Sequence, residues 1–216
     1  MTGTQSPMVA TELRFNWLND HADGWQFGET GILEALSERF DPDLAVEIGA
    51  GDGQSLPLTL GFLLEKGVKT MLFEADELRQ NALKMTKKNA IIMGAFDVKL
   101  LQGYDLVFGA KLDKSFVVVD VDGQDWPIAE EVLKCGKPQV MMIEHYDEFG
   151  PRYGRCEPEG LPPRWCLGLL VDGFSIQAPA KEIEKRIRWY GYTLIAKSRV
   201  NSLFVRNDLL PSLEGC

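Results

Sequence analysis

The sequence predicts an α/β fold built on a mostly parallel sheet. Short apolar runs, typical of buried strands, alternate with amphipathic helical patterns between residues 31 and 190. The strongest strand pattern, "SFVVVDV" at 115–121, contains a continuous apolar run from 116 to 119, as expected of a strand covered on both faces. A glycine-rich turn, "GAGDG", joins an apolar run to a helical pattern. Strands that alternate with helices in this way indicate crossover connections and a parallel sheet.

The first half of the chain supplies three predicted helix–strand pairs. In "GILEALSERF" the apolar residues recur at helical spacing, and Asp41-Pro42 ends the pattern. Asp76 stands where an N-cap residue is expected. The patterns predict helices at 31–40, 56–67 and 77–89, and strands at 44–49, 70–74 and 98–102.

The second half continues the alternation and ends differently. Strands are predicted at 115–121, 139–145, 192–198 and 201–207, and helices at 127–136 and 180–190. The last two strands are expected to pair like a hairpin. Residues 1–29 look irregular. The long stretch 147–178 carries aromatic residues and three arginines, and we expect a substrate lid there with Tyr153, Trp165, Phe174, Arg152, Arg155 and Arg164.

Composition limits the class of protein. The 216 residues are 45% hydrophobic and 25% charged, which suits one globular domain over 1–216. No apolar run approaches the ~18 residues of a membrane span, and the N-terminus shows no signal-peptide pattern. We therefore expect a soluble cytoplasmic protein. The net charge of −9 without a basic stripe argues against nucleic-acid binding. Four cysteines without C-x-x-C spacing make a zinc site unexpected.

The topology places the polar residues together. Right-handed crossovers bring the carboxyl ends of all parallel strands to one edge of the sheet, where ligands bind. Polar residues follow each predicted strand, at Glu47–Gly53, Glu74–Asp76, Gln102–Tyr104, Asp120–Asp125 and Glu144–Asp147. The sequence thus predicts a ligand site at this edge.

The glycine turn favours a particular ligand class. Gly49, Gly51 and Gly53 allow a tight turn and a close approach of the backbone to a ligand. A dinucleotide-binding turn wants a third glycine where this chain has Gln54, and Asp52 would repel a pyrophosphate. A nucleoside without phosphates fits better, with Glu74 accepting hydrogen bonds from its ribose hydroxyls.

These features resemble the class I S-adenosylmethionine-dependent methyltransferases, and more narrowly the FkbM-like methyltransferases. The matching stretches span roughly residues 27 to 210: "GETGILEALSERF", "AVEIGAGDG", "LFEAD", "VVVDVDGQDWPI", "KPQVMMIEHYDEFGP", "YGYTLIAKS" and "NSLFVRNDL". The resemblance implies a Rossmann-like, three-layer α/β/α fold whose seven-stranded, mostly parallel sheet has its last strand antiparallel. It also implies methyl transfer to oxygen on a sugar or another small molecule.

The resemblance also assigns cofactor residues. The turn from Gly49 through Ala50 and Gly51 to Gly53 would wrap the methionine part of S-adenosylmethionine. Glu47 would fix this turn and face the amino group, and Glu74 would hold the ribose. Four further residues would lie by the adenine or its neighbourhood: Ala75, Asp76, Gln102 and Gly103. The chain departs from its relatives after the turn, with Leu56-Pro57 following Ser55.

Methyl transfer to a hydroxyl needs a group that removes or polarises a proton. His145 is the one histidine at this edge, and its usual pKa of about 6.5 suits a general base, although a hydrogen-bonded histidine at a strand end is an equal alternative. Glu144 could hold a substrate hydroxyl or the backbone of a loop. Asp120 and Asp122 share one side of their strand and could stabilise the sulfonium or accept a proton.

The "DVDGQD" segment allows two metal interpretations. An EF-hand loop is excluded, because Asp125 stands where glycine is required and a strand precedes the loop. A Mg²⁺ site formed by Asp120, Asp122 and Asp147 is a less favoured alternative, and we predict no metal. Asp125 is expected to cap the helix that follows.

The leading hypothesis is a methyltransferase acting on a small hydroxylated acceptor, with homo-oligomerisation left open. One alternative is a catalytically inactive methyltransferase-like binding or assembly module. A less favoured one is a nucleotide-dependent oxidoreductase, which Gln54 and Asp52 argue against.

Overall fold

The computed structural model describes residues 8–22, 28–55, 57–101, 103, 111–121, 123–145, 170–171, 174–175 and 178–214. Its strands are β1 (Val9–Ala10), β2 (Leu44–Ile48), β3 (Lys69–Phe73), β4 (Ile91–Met93), β5 (Ser115–Val119), β6 (Val140–Glu144), β7 (Leu170–Val171), β8 (Phe174–Ser175), β9 (Tyr192–Lys197) and β10 (Asn201–Arg206). Its α-helices are α1 (Glu29–Phe40), α2 (Gly61–Glu65), α3 (Glu77–Thr86), α4 (Asp125–Cys135) and α5 (Ala180–Ile187).

The main sheet has eight strands in the order β1-β9-β10-β6-β5-β2-β3-β4. The five strands from β6 to β4 are parallel, and β10 runs antiparallel to both of its neighbours. The predicted parallel sheet with an antiparallel last strand is thereby confirmed. The crossovers place the carboxyl ends of the parallel strands at one edge of the sheet, as the sequence predicted.

The predicted strand number of seven is wrong by one, because β1 adds an eighth. Val9 and Ala10 pair antiparallel with Lys197 and Ala196 of β9, and the N–H of Thr11 donates to the carbonyl of Ile195 at 2.9 Å. The segment expected to be irregular therefore contains this strand, followed by a 3₁₀ helix at Leu13–His21. Backbone pairing alone defines β1, and two residues are too few for a side-chain pattern.

Two apolar layers cover the sheet. Alternate residues of β2 belong to different layers: Val46 and Ile48 pack on the side of α4 and α5, and Ala45 packs on the side of α1. The layer of α1 also contains Met8, Phe15 and Leu18 from the N-terminal segment. The three-layer α/β/α arrangement follows from this alternation.

The third predicted strand lies elsewhere in the chain. Residues 98–101 are helical, because the Asp97 side chain accepts a hydrogen bond from the N–H of Lys99 at 2.9 Å and its carbonyl accepts one from Leu100. The strand beside β3 is instead β4. The prediction of a strand at 98–102 is therefore wrong. Gln102 and Gly103 were expected to follow a strand, and they follow the helical residues 98–101 instead.

Two other segments differ from expectation. Helix α2 begins at Gly61 rather than near 56, since Leu58–Leu60 form a turn. Most of the predicted lid lies outside the described residues, including Tyr153, Trp165 and the three arginines. Within it, β7 and β8 form a two-stranded antiparallel ribbon.

None of the helices in the described ranges has the length and apolar content to cross a membrane.

Candidate cofactor and active site

The glycine turn after β2 is fixed between two strands. Gly49 has φ +89°, and a Cβ there would lie 1.6 Å from the carbonyl oxygen of Asp120. The N–H groups of Gly49 and Ala50 donate to the carbonyl of Phe73 at 2.9 and 3.0 Å. Only glycine fits this position, because both its backbone conformation and the approach of β5 exclude a side chain.

The next two glycines serve different purposes. Gly51 has φ +61°, and no heavy atom of the described residues lies within 4 Å of the place where its Cβ would be, so the turn presents bare backbone. A Cβ at Gly53 would lie 2.8 Å from Cδ2 of Leu83, so this glycine lets α3 pack against the turn. Gly51 is therefore the place where a ligand can approach the backbone closely.

Glu74 ties the second strand to this turn. Its carboxylate is buried and accepts hydrogen bonds from the N–H of Gly51 and the N–H of Asp76, each at 2.8 Å. A carboxylate offers about four acceptor positions, so these two bonds leave capacity for the hydroxyl groups of a ligand.

Two residues predicted to border the adenine, Ala75 and Asp76, are exposed beside Glu74. The predicted N-cap role of Asp76 is confirmed, since its side chain accepts a hydrogen bond from the N–H of Arg79 at 2.9 Å. The cap orients the start of α3 next to the glycine turn.

Glu47 holds the segment that leads from the glycine turn into α2. Its carboxylate accepts hydrogen bonds from the N–H groups of Thr59 at 2.9 Å and Leu60 at 3.0 Å. Burial, aided by the charge of Asp120, raises the pKa of this carboxyl from 4.5 to about 7, against the opposing effects of the two N–H bonds and Lys87. The predicted roles of Glu47, to fix the glycine turn and face the amino group of a cofactor, stay predictions.

Asp120, Glu144 and Asn201 form a row across three neighbouring strands. The sequence predicted a role for the first two, and the structure adds Asn201. Asn201 stands opposite Glu144 in the antiparallel register of β10 and β6. Asp120 follows Val119, and Glu144 follows Ile143, which pairs with Val119 in the parallel register. Adjacent strands lie about 4.8 Å apart, so the row brings Asp120, Glu144 and Asn201 to one level of the sheet.

The side chains of this row point toward α1. Val118 and Met142 pack in the apolar layer of α1, and side chains two residues apart in a strand share a face. Asp120 and Glu144 therefore face that layer, where Glu47 also lies two residues after Ala45.

His145 is not on this face. Its N–H donates to the carbonyl of Val200 at 2.6 Å, so the pairing of β6 continues for one residue, and its side chain is fully buried. As the residue after Glu144, it points to the opposite side of the sheet. The role of His145 as a base stays a prediction.

Asp125 does not cap the helix that follows. It is the first residue of α4, the N-cap position belongs to Gln124, and the buried carboxylate accepts hydrogen bonds from the N–H groups of Val121 and Gly123, each at 2.9 Å. Burial raises the pKa of Asp125 to about 6, against these two bonds. Its function is to hold the loop after β5, which corrects the expected cap.

Glu29 belongs to this site, although the sequence analysis did not single it out. It is the first residue of α1, its side chain is 1% exposed, and it accepts a hydrogen bond from Nδ2 of Asn201 at 2.5 Å. Burial raises its pKa to about 7; the bonds of Asn201 and Ser198 lower it and the charge of Asp120 raises it. An acidic residue in the first turn of a helix is common, so the sequence carried no signal for this partnership.

Several predicted site residues lie outside the described part of the chain, namely Gln102, Asp122 and Asp147. Gly103 lies in the helical segment after β4. Within the ranges that the structure describes, no group of three or more His, Cys, Asp or Glu side chains is arranged to hold a metal ion.

Neither a protein-family model nor a curated protein sequence matches the chain. Several solved structures do. The O-methyltransferase from Bacillus cereus, solved in complex with SAH, has a TM-score of 0.53 and 13% identity over 92% of this chain and 93% of its own. The O-methyltransferase TomG from Streptomyces achromogenes, involved in tomaymycin synthesis and solved with SAM, has a TM-score of 0.56 and 12% identity over 92% and 91%.

A third match is the plantazolicin methyltransferase BamL, solved with SAH and a desmethyl substrate analogue. Its TM-score is 0.51 at 11% identity, over 83% of each chain. Identities this low establish a shared architecture. The chain therefore has the Rossmann-like methyltransferase fold.

Proposed function

We propose that this protein is an S-adenosylmethionine-dependent methyltransferase of the FkbM-like type that methylates an oxygen of a small hydroxylated acceptor, such as a sugar or a secondary metabolite. The observation that carries the proposal is the junction of Gly51 and Glu74. Bare backbone is presented there, beside a buried carboxylate whose two hydrogen bonds leave acceptor positions for ribose hydroxyls.

The similar structures support the same ligand class. Those of the Bacillus cereus enzyme and BamL contain SAH, and that of TomG contains SAM. The residues that this chain presents fit such a ligand: Glu74 would hold the ribose, Ala75 and Asp76 would border the adenine, and the turn from Gly49 to Gly53 would contact the methionine part. S-adenosylmethionine supplies an activated methyl group when bound.

The protein's own contribution is orientation and proton removal. Glu47 anchors the segment before α2 through Thr59 and Leu60. Asp120 and Glu144 stand on one face of the sheet at the next two strands, where a hydroxyl group can donate to them. A carboxylate that accepts the hydroxyl proton makes the oxygen a better nucleophile. His145 and Asp122 are further candidates for this step, and the segment 147–178 is the candidate lid that selects the acceptor.

The same proposal includes a single domain and a cytoplasmic location, with a small-molecule acceptor as partner.

An inactive binding module is the second candidate. It is favoured by the chain's departure after the glycine turn, where Ser55 bonds to Asp52 and Pro57 follows.

Thermal unfolding with S-adenosylmethionine, S-adenosylhomocysteine or NADH tests the ligand class, since a ligand that binds the folded state raises the melting temperature. We expect shifts with the first two ligands. Glu74→Ala should abolish them, and Glu77→Ala, which removes the same charge from an exposed position in the first turn of α3, should not.

A shift with NADH alone, or none with any ligand, would overturn the proposal. Formation of S-adenosylhomocysteine with a panel of sugars and phenols then separates an enzyme from a binding module. If S-adenosylmethionine binds and no methylated product forms with any acceptor, the binding module is the better conclusion.

A further inference from the structure

Glu29 is a buried carboxyl group near the proposed site, and the proposed function assigns it no role. Its side chain reaches from the first turn of α1 to Asn201 at the start of β10, across 172 positions of sequence. Asn201 stands opposite Glu144, and Glu144 stands level with Asp120, whose backbone meets Gly49. Glu29 therefore lies over the strand ends that adjoin the glycine turn.

Glu29 shares one side of the sheet with two other carboxyl groups. It begins α1, and Asp120 and Glu47 face the apolar layer of α1. The charge of Asp120 raises the pKa of Glu29, of Glu47 and also of Asp125. Glu144 stands in the same row as Asp120, and the charge of Lys87 lowers the pKa of Glu47. Ser198 and Asn201 donate hydrogen bonds to Glu29, and His145 and Arg199 are their neighbours or those of Glu144 in the chain.

Buried carboxylates that face one another repel, and each is costly to ionise away from water. A positively charged ligand in the region between them relieves both effects. A neutral ligand of the same shape does not. S-adenosylmethionine carries a sulfonium cation, and its product S-adenosylhomocysteine carries a neutral thioether in the same place.

We propose that Glu29, positioned by Asn201, is a specificity-determining residue that makes the site prefer the sulfonium cofactor over its thioether product. This inference rests on the proposed function. Binding of the cation stabilises the ionised form of Glu29, so the binding of S-adenosylmethionine releases protons near neutral pH. Its affinity falls as the pH drops and Glu29 becomes protonated.

Isothermal titration calorimetry tests this without an acceptor. S-adenosylmethionine and S-adenosylhomocysteine are each titrated into the full chain between about pH 5.5 and about pH 8.5, in buffers of different ionisation enthalpy. We expect proton release with S-adenosylmethionine and an affinity about tenfold weaker at the acidic end. The affinity for S-adenosylhomocysteine should change much less.

Glu29→Gln should keep the bond from Asn201, lower the preference for S-adenosylmethionine by about fivefold to tenfold, and flatten its pH dependence. Glu38→Gln is the matched control, because it removes the same charge from an exposed position of the same helix. Asn201→Ala is the second variant. It removes a bond that lowers the pKa of Glu29, so the pH dependence should move to higher pH.

The outcomes separate the two proposals. If neither ligand binds, the proposed function fails, and this inference with it. If both bind but their pH dependences coincide, or if Glu29→Gln retains the wild-type preference, only the role of Glu29 is overturned.

Discussion

The carboxylate of Glu74 accepts a hydrogen bond from the N–H of Gly51 at 2.8 Å, although 23 positions separate the two residues. This bond joins the end of β3 to the turn that follows β2. It places the proposed ribose-binding group and the bare backbone of the turn side by side before any ligand arrives.

Glu74→Ala should weaken the fold as well as ligand binding. The substitution leaves the N–H groups of Gly51 and Asp76 without this acceptor, which costs roughly 1–3 kcal/mol of unfolding free energy. Urea unfolding measures this loss, and Glu77→Ala should stay within about 0.5 kcal/mol of wild type. A variant as stable as wild type would show that the bond does not organise the turn.

Gly49→Ala should be among the most damaging single changes in the chain. The new Cβ would lie 1.6 Å from a backbone oxygen of β5, and backbone atoms cannot rotate away as a flexible side chain can. We expect a loss of about 3 kcal/mol or more, measured by urea unfolding, or failure to fold. Wild-type stability would contradict the close approach of Gly49 to Asp120.

Gly51→Ala should spare the fold and impair binding. Both Gly51 and Gly67 have positive φ, and within the part of the chain that the structure describes neither has a heavy atom within 4 Å of its Cβ position, so alanine at either costs about 1–2 kcal/mol of backbone strain. Gly67 precedes β3 at the opposite end of that strand from Glu74. Calorimetric affinity for S-adenosylmethionine should fall at least tenfold in Gly51→Ala and stay unchanged in Gly67→Ala. Equal affinities would remove Gly51 from the site.

Stability of the ligand-free protein should fall as the pH rises from about 4 to about 7. The pKa values of Glu29 and Glu47 are raised to about 7 and that of Asp125 to about 6, so the folded state binds more protons than the unfolded state above their ordinary values of 4.5 and 3.8. The stabilisation is complete below those ordinary values and is lost as each group ionises in the fold.

Glu29→Gln reports on one of these groups. It should raise the unfolding free energy at about pH 8 by up to the order of 3 kcal/mol and have little effect at about pH 4.5. Urea midpoints at the two pH values, with Glu38→Gln as control, measure the difference. A variant that is less stable than wild type at the higher pH would contradict the burial of an ionisable Glu29.

Asp125→Ala should loosen the loop after β5. It leaves the N–H groups of Val121 and Gly123 without their acceptor, which costs about 1–3 kcal/mol for a buried donor. Thermal unfolding and amide hydrogen exchange at Gly123 are the measurements. Glu131→Ala, at an exposed position of the same helix, is the control and should change little. Unchanged exchange at Gly123 would contradict the assigned role of Asp125.

Local patterns sufficed for most of the fold. The run from Phe116 to Val119 is apolar because both faces of β5 are covered, and a strand of this kind is recognisable without its neighbours. By contrast, β4 is only three partly buried residues at the edge of the parallel strands, shorter than the five-residue stretch "VKLLQ". The side chain of Asp97 caps a helical segment at 98–101. The sequence pattern did not reveal this cap, so the third strand was predicted in the wrong place.

The site was predictable where its residues follow strands directly. Glu47, Glu74 and the three glycines stand at strand ends, so topology alone brought them together. Glu29 and Asn201 meet only through the packing of α1 on the sheet. The direction of the Asp125 carboxylate likewise depends on the path of the preceding loop, which a sequence pattern does not specify.

The contact between Gly49 and the carbonyl of Asp120 also has a mechanical consequence. Two backbone segments that leave no room for a methyl group between them cannot shift independently. Any ligand that displaces the glycine turn must carry the end of β5 with it. If S-adenosylmethionine and the acceptor bind as proposed, the arrival of the cofactor at the turn is transmitted through this contact to the end of β5, beside the proposed acceptor.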